Sequence, residues 1–316
     1  MDTKNRPLLI LAGPTASGKT ALSLALAHKL NGEIVSADSM QVYRGMDIGT
    51  AKIQPEEKEG IPHYLIDVCD PLSGEEWSVM RFCREASAAI ETIYRNGHLP
   101  ILVGGTGYYI HALAYGAEFP EESNSEIRSE LERMSSEDLY EQLKTADPLS
   151  AERIHPNNRK RVIRALEYFR QNQEPISLNN DRLKEKESPY ALCYLVLDRP
   201  REELYERIEK RVDLMLEDGL VEEVKRLKEM GADKGMVSMK GLGYKEILSY
   251  LNGECSLEEA VYILKRDTRH FAKRQLTWWR REQDTCFLAY HPEETLEERA
   301  LNLVKERLAL EPKNGR

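Results

Sequence analysis

The sequence predicts an α/β fold, with a parallel sheet covered by helices on both faces and an all-helical insertion. Three observations predict it: a phosphate-loop motif, short apolar runs alternating with helical periodicity, and a halt in that alternation near Gly116. Most of the apolar runs end in a small or acidic residue, and the early ones precede helical segments, which is typical of strand–helix units. The predicted strands are Leu8–Ala12, Glu33–Ser36, Tyr64–Val68, Leu99–Val103, Ala191–Asp198 and Thr285–Tyr290.

The helices follow from apolar residues at helical spacing. We expect them at Ala21–Leu30, Val79–Arg95, Arg201–Glu217, Leu220–Met230, Tyr244–Leu251, Leu257–Arg281 and Pro292–Leu310. The stretch from Glu118 to about Ser188 is polar and helical, with breaks at its four prolines, which are Pro120, Pro148, Pro156 and Pro175. The expected organisation is a phosphate-loop core of residues 1–116 and 190–316, with a helical insertion of residues 117–189.

The composition indicates a soluble globular protein. The chain has 316 residues, of which 41% are hydrophobic and 31% charged, and no run approaches a membrane span. The N-terminus lacks a signal-peptide layout, because its apolar run is the strand that enters the phosphate loop. The five cysteines are scattered, with no paired spacing and no nearby histidine set, so we expect free thiols in the cytoplasm rather than disulfides or zinc ligands.

The net charge of −9 argues against a nucleic-acid partner, but its distribution weakens that argument. Residues 118–147 hold ten acidic and three basic side chains, a net of −7. Residues 152–170 hold six basic and two acidic, a net of +4, and residues 265–282 hold seven basic and two acidic, a net of +5. Local basic surfaces decide phosphate binding, although two solvated helix faces would give the same counts.

The strongest motif is GPTASGKT, which fits the phosphate loop G-x-x-x-x-G-K-[ST] in full between a strand and a helix. Its glycines let backbone N–H groups approach phosphate oxygens, and Lys19 adds a charge for the terminal phosphates. The Thr20 hydroxyl is a candidate ligand for Mg²⁺. The alternative is a glycine-rich turn without a ligand. The diphosphate-binding residues predicted here are Gly13, Pro14, Thr15, Ala16, Ser17, Gly18, Lys19 and Thr20.

Three further motifs follow predicted strands, where ligands of parallel sheets collect. In Asp38-Ser39-Met40-Gln41, Asp38 is a candidate general base, and Ser39 and Gln41 suit the edge of a heterocycle; the alternative is a helix-capping aspartate. In Gly104-Gly105-Thr106-Gly107, close backbone approach leaves Thr106 as the only functional side chain; the alternative is a tight strand–helix turn. The string from His63 to Asp67 weakly resembles a magnesium-holding strand, and it leaves open whether Asp67 touches the ion.

Six motifs in register resemble those of the tRNA dimethylallyltransferase family, the bacterial tRNA prenyltransferases. They are GPTASGKT, DSMQVYRGMDIGTAK, IPHYLID, LVGGTGYYI, NNRKRVIRALE and KRQLTWWR, and they extend over nearly the whole chain. The resemblance implies transfer of a dimethylallyl group from dimethylallyl diphosphate to the exocyclic amine of the adenosine 3′ to the anticodon. It also implies a requirement for Mg²⁺ and a helical domain that swings over the anticodon stem-loop.

The residues agree with that chemistry. Departure of diphosphate builds negative charge where the loop amides and Lys19 point, and Arg211 (or Arg207) would add positive charge there. An adenine amine is a poor nucleophile, so a base is needed: Asp38 fits, and Thr106 would line the pocket of a flipped adenosine. We expect a monomer whose tRNA-binding residues are Asp38, Ser39, Met40, Gln41, Thr106, Arg128, Asn157, Asn158, Arg159, Lys160, Arg161, Lys273, Arg274 and Gln275.

Three other functions fit parts of the sequence. A small-molecule kinase would use the phosphate loop, Asp38 and an arginine-bearing lid, but it has no use for the basic C-terminal helix with Trp278 and Trp279. A transferase that prenylates free adenine nucleotides would not need the long insertion. A non-enzymatic RNA-binding module would not need the phosphate loop.

Overall fold

The computed structural model describes residues 6–75, 77–116, 125–290 and 295–309. The chain divides into two compact units, one formed by Met1–Ala114 with Pro189–Arg316 (unit 1) and one by Tyr115–Ser188 (unit 2). The division falls where the alternation of strands and helices stops and resumes in the sequence.

Unit 1 is built on a six-stranded sheet in which every neighbouring pair is parallel. The spatial order is β3-β2-β4-β1-β5-β6, so the strand that enters the phosphate loop lies inside the sheet. The strands are β1 Arg6–Ala12, β2 Gly32–Ser36, β3 His63–Tyr64, β4 Leu99–Gly104, β5 Tyr190–Asp198 and β6 Thr285–Ala289.

The helices of unit 1 are α1 Lys19–Leu30, α2 Val79–Arg95, α3 Gly107–Ala114, α9 Arg201–Glu217, α10 Leu220–Glu229, α11 Tyr244–Leu251, α12 Leu257–Trp279 and α13 Leu296–Arg307. Those of unit 2 are α4 Ser125–Arg133, α5 Ser136–Ala146, α6 Pro148–Arg153, α7 Arg159–Asn172 and α8 Ile176–Glu185. Three prolines of unit 2 lie where breaks were predicted: Pro148 is the first residue of α6, Pro156 lies between α6 and α7, and Pro175 precedes α8. Pro120 lies outside the described residues.

Both faces of the sheet are buried. Leu9, Ile101 and Leu195 pack with α1 and α13 on one face. The alternate residues Leu8 and Tyr194 are equally inaccessible to solvent, because successive side chains of a strand point to opposite sides. Helices therefore cover both faces, and the carboxyl edge of the strands remains for a ligand.

Two predicted elements differ from the structure by more than two residues at an end. The strand predicted at Tyr64–Val68 is wrong, since β3 covers only His63–Tyr64 and the backbone turns at Leu65 and Asp67, which have φ of 63° and 59°. Positive φ takes these residues out of the extended conformation that a strand requires. The last helix, α13, covers Leu296–Arg307, which is shorter than predicted. The predicted first and last residues, Pro292 and Leu310, lie outside the described part of the chain.

Unit 2 has an apolar core of its own. Leu131, Leu139, Leu143, Val162 and Leu166 are almost completely buried together. Among the described residues of the two units, no helix combines the length and apolar character needed to span a membrane.

Candidate active site

The phosphate loop connects β1 to α1 at the carboxyl edge of the sheet. Gly18 has φ of 99°, in the left-handed region that favours glycine, and it is the N-cap of α1 without a side-chain capping bond. The N–H groups of the first turn of α1 are therefore left for an anion, and the helix dipole favours negative charge at the same point.

Three cationic side chains hold the loop through hydrogen bonds to its carbonyl oxygens. Lys19 Nζ donates to the carbonyl oxygens of Gly13 at 2.9 Å and Pro14 at 2.8 Å. Arg207 Nε donates to Ala16 O at 2.8 Å, and Arg199 Nε donates to Ser17 O at 2.8 Å. These bonds fix the conformation of the loop and bring positive charge to it.

Burial lowers the pKa of two cationic groups at the cavity, Lys19 and Arg211. It lowers the pKa of Lys19 to about 7, helped by the positive charge of Arg211 and opposed by the Asp38 carboxylate. Burial also lowers the pKa of Arg211, again opposed by Asp38. Lys19, Arg211 and Asp38 thus influence one another across a common space, and an anion bound there would stabilise both positive charges.

The Asp38 segment follows β2 and is fixed by its own turn. Asp38 Oδ1 accepts from the backbone N–H groups of Met40 at 2.8 Å and Gln41 at 3.3 Å. No helix follows, so Asp38 closes a turn and does not cap a helix, contrary to the alternative interpretation of the sequence. This turn points the segment along the carboxyl edge of the sheet.

Thr106 ties the turn after β4 to the turn after β2. Its Oγ1 accepts from Ser39 N at 3.2 Å, and its own N–H donates to Ala37 O at 3.2 Å. The strand–helix turn predicted as the alternative is also present, since α3 begins at Gly107. The polar side chain in this glycine-rich turn thus holds the Asp38 segment in place.

The phosphate loop, the Asp38 segment and Thr106 line one cavity of about 710 Å³ in unit 1. Its size suits a small molecule together with a nucleobase. Gln275 closes the wall: its Nε2 donates to Gly105 O at 2.8 Å, and its Oε1 accepts from Thr15 N at 3.0 Å. Predicted residues that line the cavity are Thr15, Ala16, Ser17, Gly18, Lys19, Thr20, Asp38, Ser39, Met40, Gln41, Thr106, Arg207, Arg211, Arg274 and Gln275.

Comparison with known proteins finds relatives of a single family over nearly the whole chain. Two family models match, one described as IPP transferase over residues 41–282 and one as isopentenyl transferase over residues 7–73. A curated tRNA dimethylallyltransferase of Lachnoclostridium phytofermentans is 58% identical over 289 residues, covering 90% of this chain and 92% of the relative. One of Acetivibrio thermocellus is 51% identical, covering 89% and 91%.

The chain belongs to the tRNA dimethylallyltransferase family. Among solved structures, the tRNA isopentenylpyrophosphate transferase of Bacillus halodurans is 41% identical, with a TM-score of 0.73 over 96% of this chain and 97% of that one. A eukaryotic dimethylallyltransferase acting on tRNA is 30% identical, with a TM-score of 0.84 over 99% of this chain and 82% of that one.

Three predicted tRNA-binding residues of this family member make bonds within unit 2. The Arg159 guanidinium donates to Glu132 O at 2.8 Å, Met134 O at 2.7 Å and Ser136 Oγ at 3.2 Å, at the end of α4. Arg128 pairs with Glu132 at 3.1 Å, and Asn158 caps α7 by accepting from Arg161 N. These side chains stabilise unit 2, so their RNA contacts remain a prediction.

Gln41 lines the cavity but is hydrogen-bonded within the protein, and four other predicted tRNA-binding residues lie outside the cavity. Gln41 is committed to the protein: its Oε1 accepts from Ser36 Oγ at 3.3 Å and its Nε2 donates to Thr50 O at 3.3 Å. Asn157, Lys160, Arg161 and Lys273 are not among the cavity-lining residues. Lys160 and Lys273 are exposed, so each could reach an RNA phosphate.

Asp67 belongs to an ion pair outside the cavity. Its Oδ1 accepts from Lys52 Nζ at 2.6 Å, and Lys52, whose side chain is 3% exposed, also bonds Asp47 Oδ1 at 2.6 Å and Tyr43 O at 2.8 Å. The cluster compensates the buried ammonium and fixes the segment between β2 and β3. Asp67 is therefore placed to stabilise this segment, and it does not line the cavity.

Glu223 supports the site and was missed by the sequence analysis. This buried carboxylate on α10 accepts from the N–H groups of Asp47 at 2.9 Å, Ile48 at 2.9 Å and Gly49 at 3.1 Å. It also accepts from Tyr244 Oη at 2.6 Å, and burial with this neighbouring charge raises the Tyr244 pKa. Because Gly49 and Tyr244 line the cavity, Glu223 determines the shape of one wall.

Proposed function

We propose that this protein transfers a dimethylallyl group from dimethylallyl diphosphate to the exocyclic amine of an adenosine in tRNA, the one 3′ to the anticodon, and releases diphosphate. The observation that carries the proposal is one cavity in which residues 15–20 of the phosphate loop face Asp38 and Thr106, although the predicted Gly13 and Pro14 do not line it. One site thus holds both an anion cradle and a base, as a transfer from a diphosphate donor to an amine requires.

The phosphate-loop side of the cavity suits the leaving group. As the bond between the allylic carbon and the diphosphate oxygen breaks, the electron pair goes to the diphosphate. The N–H groups at the start of α1, with Lys19 and Arg211, lie at this end of the cavity and would stabilise that developing charge. Lys19 Nζ would exchange its bonds to Gly13 O and Pro14 O for bonds to the diphosphate oxygens.

The Asp38 side suits the acceptor. The adenine amine forms the new carbon–nitrogen bond, and its proton passes to the Asp38 carboxylate. The N–H groups of Met40 and Gln41 both donate to Oδ1 of Asp38, so Oδ2 is the oxygen that would take the proton. Thr106 holds the neighbouring Ser39 N–H, which keeps Asp38 oriented toward the cavity.

The site also fits Mg²⁺. Within the described chain no three His, Cys, Asp or Glu side chains cluster to hold a metal, so the ion would depend mainly on oxygens of the donor diphosphate. This suits Mg²⁺, which usually takes few protein ligands alongside substrate phosphates. Thr20, exposed at the cavity, would supply its hydroxyl, and the bound ion would neutralise charge on the leaving diphosphate.

The tRNA would be held by cationic side chains that are not used in ion pairs of the described residues. Lys160 and Arg161 of α7 and Lys273 and Arg274 of α12 have no ion-pair partner among the described residues. They support binding of RNA phosphates despite the net charge of −9. We propose that Asn158 and Arg159 contribute to RNA binding through the helix ends they stabilise, and that the exposed Arg128 and Asn157 contribute directly. We also propose a cytoplasmic monomer; all five cysteines are free thiols, which suits a reducing compartment.

The decisive test is mass spectrometry of tRNA incubated with the pure protein, Mg²⁺ and dimethylallyl diphosphate. We expect one added dimethylallyl group on a single adenosine and release of diphosphate. ATP should be neither cleaved nor a phosphoryl donor to a small molecule. Unmodified tRNA together with ATP-dependent phosphorylation would establish the kinase instead.

A further inference from the structure

Two exposed aromatic rings stand together next to the cavity but do not line it. Tyr108 is 52% exposed and Trp278 is 39% exposed, and their ring centroids lie 6.4 Å apart in an edge-to-face arrangement of 84°. The next residue, Trp279, is fully buried and donates through Nε1 to Tyr194 Oη at 3.1 Å. The two tryptophans therefore have different roles: Trp279 packs the core, whereas Trp278 presents its ring to solvent.

The Trp278 ring is fixed against the turn that carries Thr106. A Cβ added at Gly107 would lie 2.4 Å from Trp278 Cδ1 and 2.5 Å from Nε1, so the indole rests directly on this glycine's backbone. Gly107 follows Thr106, which lines the cavity, and consecutive Cα atoms are only about 3.8 Å apart. Arg274, one helical turn before Trp278, also lines the cavity. The aromatic pair thus lies at the rim of the cavity beside the acceptor side.

We propose that Tyr108 and Trp278 form a stacking platform for a nucleobase next to the acceptor adenosine. This inference rests on the proposed function. An adenosine extruded into the cavity leaves its neighbour in the loop without a stacking partner on one face. An aromatic ring fixed at the rim replaces that partner, and any base can use it because every base has a π-face.

The surrounding charge favours RNA as the occupant. Lys273 and Arg274 are exposed on the same helix, and cations interleaved with exposed aromatic rings are the pattern that holds single-stranded nucleic acid. The aliphatic tail of the donor would instead occupy the cavity, which these two rings do not line. In this proposal the exposed Trp278 binds RNA, whereas the buried Trp279 stabilises the fold.

Steady-state kinetics on an anticodon stem-loop test the platform, with dimethylallyl diphosphate as donor. We expect Trp278→Ala to raise the KM for the stem-loop by about 5- to 100-fold, the loss that removing one base–aromatic stack produces, without changing the KM for the donor. Trp278→Phe should recover most of the loss because it keeps a π-face. Tyr262→Ala is the matched control: Tyr262 is 64% exposed on the same helix and does not line the cavity, and its loss should change neither KM.

Stem-loops with one abasic nucleotide beside the acceptor identify the base. One such substrate should raise the KM of the wild type by about the same factor as Trp278→Ala does. It should not raise the KM of the Trp278→Ala variant any further. An unchanged KM in Trp278→Ala, or additive losses on the abasic substrates at both sides, would overturn the platform. If Trp278→Ala melts at a lower temperature than the wild type, Tyr108→Ala enters the same cycle with the same criteria. Wild-type protein that fails to modify the intact stem-loop would contradict the proposed function, a result distinct from either of these.

Discussion

The cavity of unit 1 and the charged helices of unit 2 use ionic side chains in opposite ways. In the cavity, Lys19, Arg211 and Asp38 converge on an open volume, and the pKa values of both cations are lowered by burial. In unit 2, Arg164 and Arg128 pair with Glu167, a carboxylate whose side chain is completely buried, at 3.2 Å and 3.9 Å. Charges that converge on open space are available for chemistry, whereas charges that satisfy one another hold helices together.

Asp38→Asn tests the cavity half of this comparison and should have the largest effect. Asparagine keeps an oxygen that accepts from Met40 N and Gln41 N, so the turn survives while the base is lost. We expect turnover in single-turnover assays to fall by roughly two to four orders of magnitude, with tRNA affinity much less affected. Near-normal turnover would remove Asp38 from the role of base.

Lys19→Ala should weaken use of the donor by roughly tenfold to a hundredfold, because a charge-assisted bond to the diphosphate is lost. Binding of the anticodon stem-loop should stay the same. A defect that disappears at saturating tRNA would show that Lys19 faces RNA instead.

The pH dependence of this site follows from the depressed pKa of Lys19. Between about 7 and 10.5 the unfolded chain holds a proton on Lys19 that the free folded protein lacks, so this group makes stability rise with pH in that window. Bound diphosphate restores the charge, so binding at pH 8 should take up as much as about one proton. Calorimetry in two buffers of different ionisation enthalpy measures this uptake, and Lys19→Met should lack it. Equal uptake by the two proteins would assign the proton to the ligand.

Glu223→Gln separates support of the cavity from its chemistry. A glutamine offers one acceptor oxygen where the carboxylate receives four hydrogen bonds, so buried donors lose partners. We expect the free energy of unfolding to fall by about 1–3 kcal/mol in denaturant titrations. Glu222→Gln, the neighbouring exchange on α10, is the control and should leave stability nearly unchanged. Equal losses in both variants would contradict the stabilising role of the Glu223 hydrogen bonds.

Unit 2 has cationic side chains that are bonded within the unit and others that are exposed to solvent. Removing the first kind should lower stability, whereas removing the second kind should change tRNA binding. Arg159→Ala should lower stability, because four acceptors at the end of α4 and the start of α5 lose their donor. Changing Lys160 and Arg161 together to alanine should leave stability intact. It should reduce the slope of log affinity for tRNA against log salt by about two, if each contacts one phosphate. An unaltered slope would make these two residues solvated charges.

The sequence was sufficient for the elements whose local signals agree with their packing. The helix Val79–Arg95 was predicted to the residue, because Ser78 caps it and its apolar residues share one face. The strand predicted after Tyr64 failed since an apolar run does not reveal the positive φ of Leu65 and Asp67. The phosphate loop, Asp38 and Thr106 were found because short motifs carry them, and the structure brings them into one cavity.

Residues that act through distant partners could not be found this way. Glu223 lies next to Glu222 in an ordinary amphipathic helix, and its backbone partners are 174 to 176 positions earlier in the chain. The same limit applies to Arg159, whose run of charges suggests RNA while its guanidinium bonds carbonyl groups more than twenty positions away. Only the folded structure shows which side chains of a charged run already have hydrogen-bond partners within the protein.

The position of β1 inside the sheet determines the order in which the protein matures during synthesis. β1 precedes both of its partners in the chain, since β4 and β5 follow only at residues 99–104 and 190–198. Every residue of unit 2 leaves the ribosome before β5 does, at about 5–20 residues per second. Unit 2, with its own core, can therefore fold while the phosphate loop is still anchored on one side only. The nascent chain can thus acquire a folded helical unit before it acquires a complete anion site, and Arg274 and Gln275, which line the cavity, follow later still.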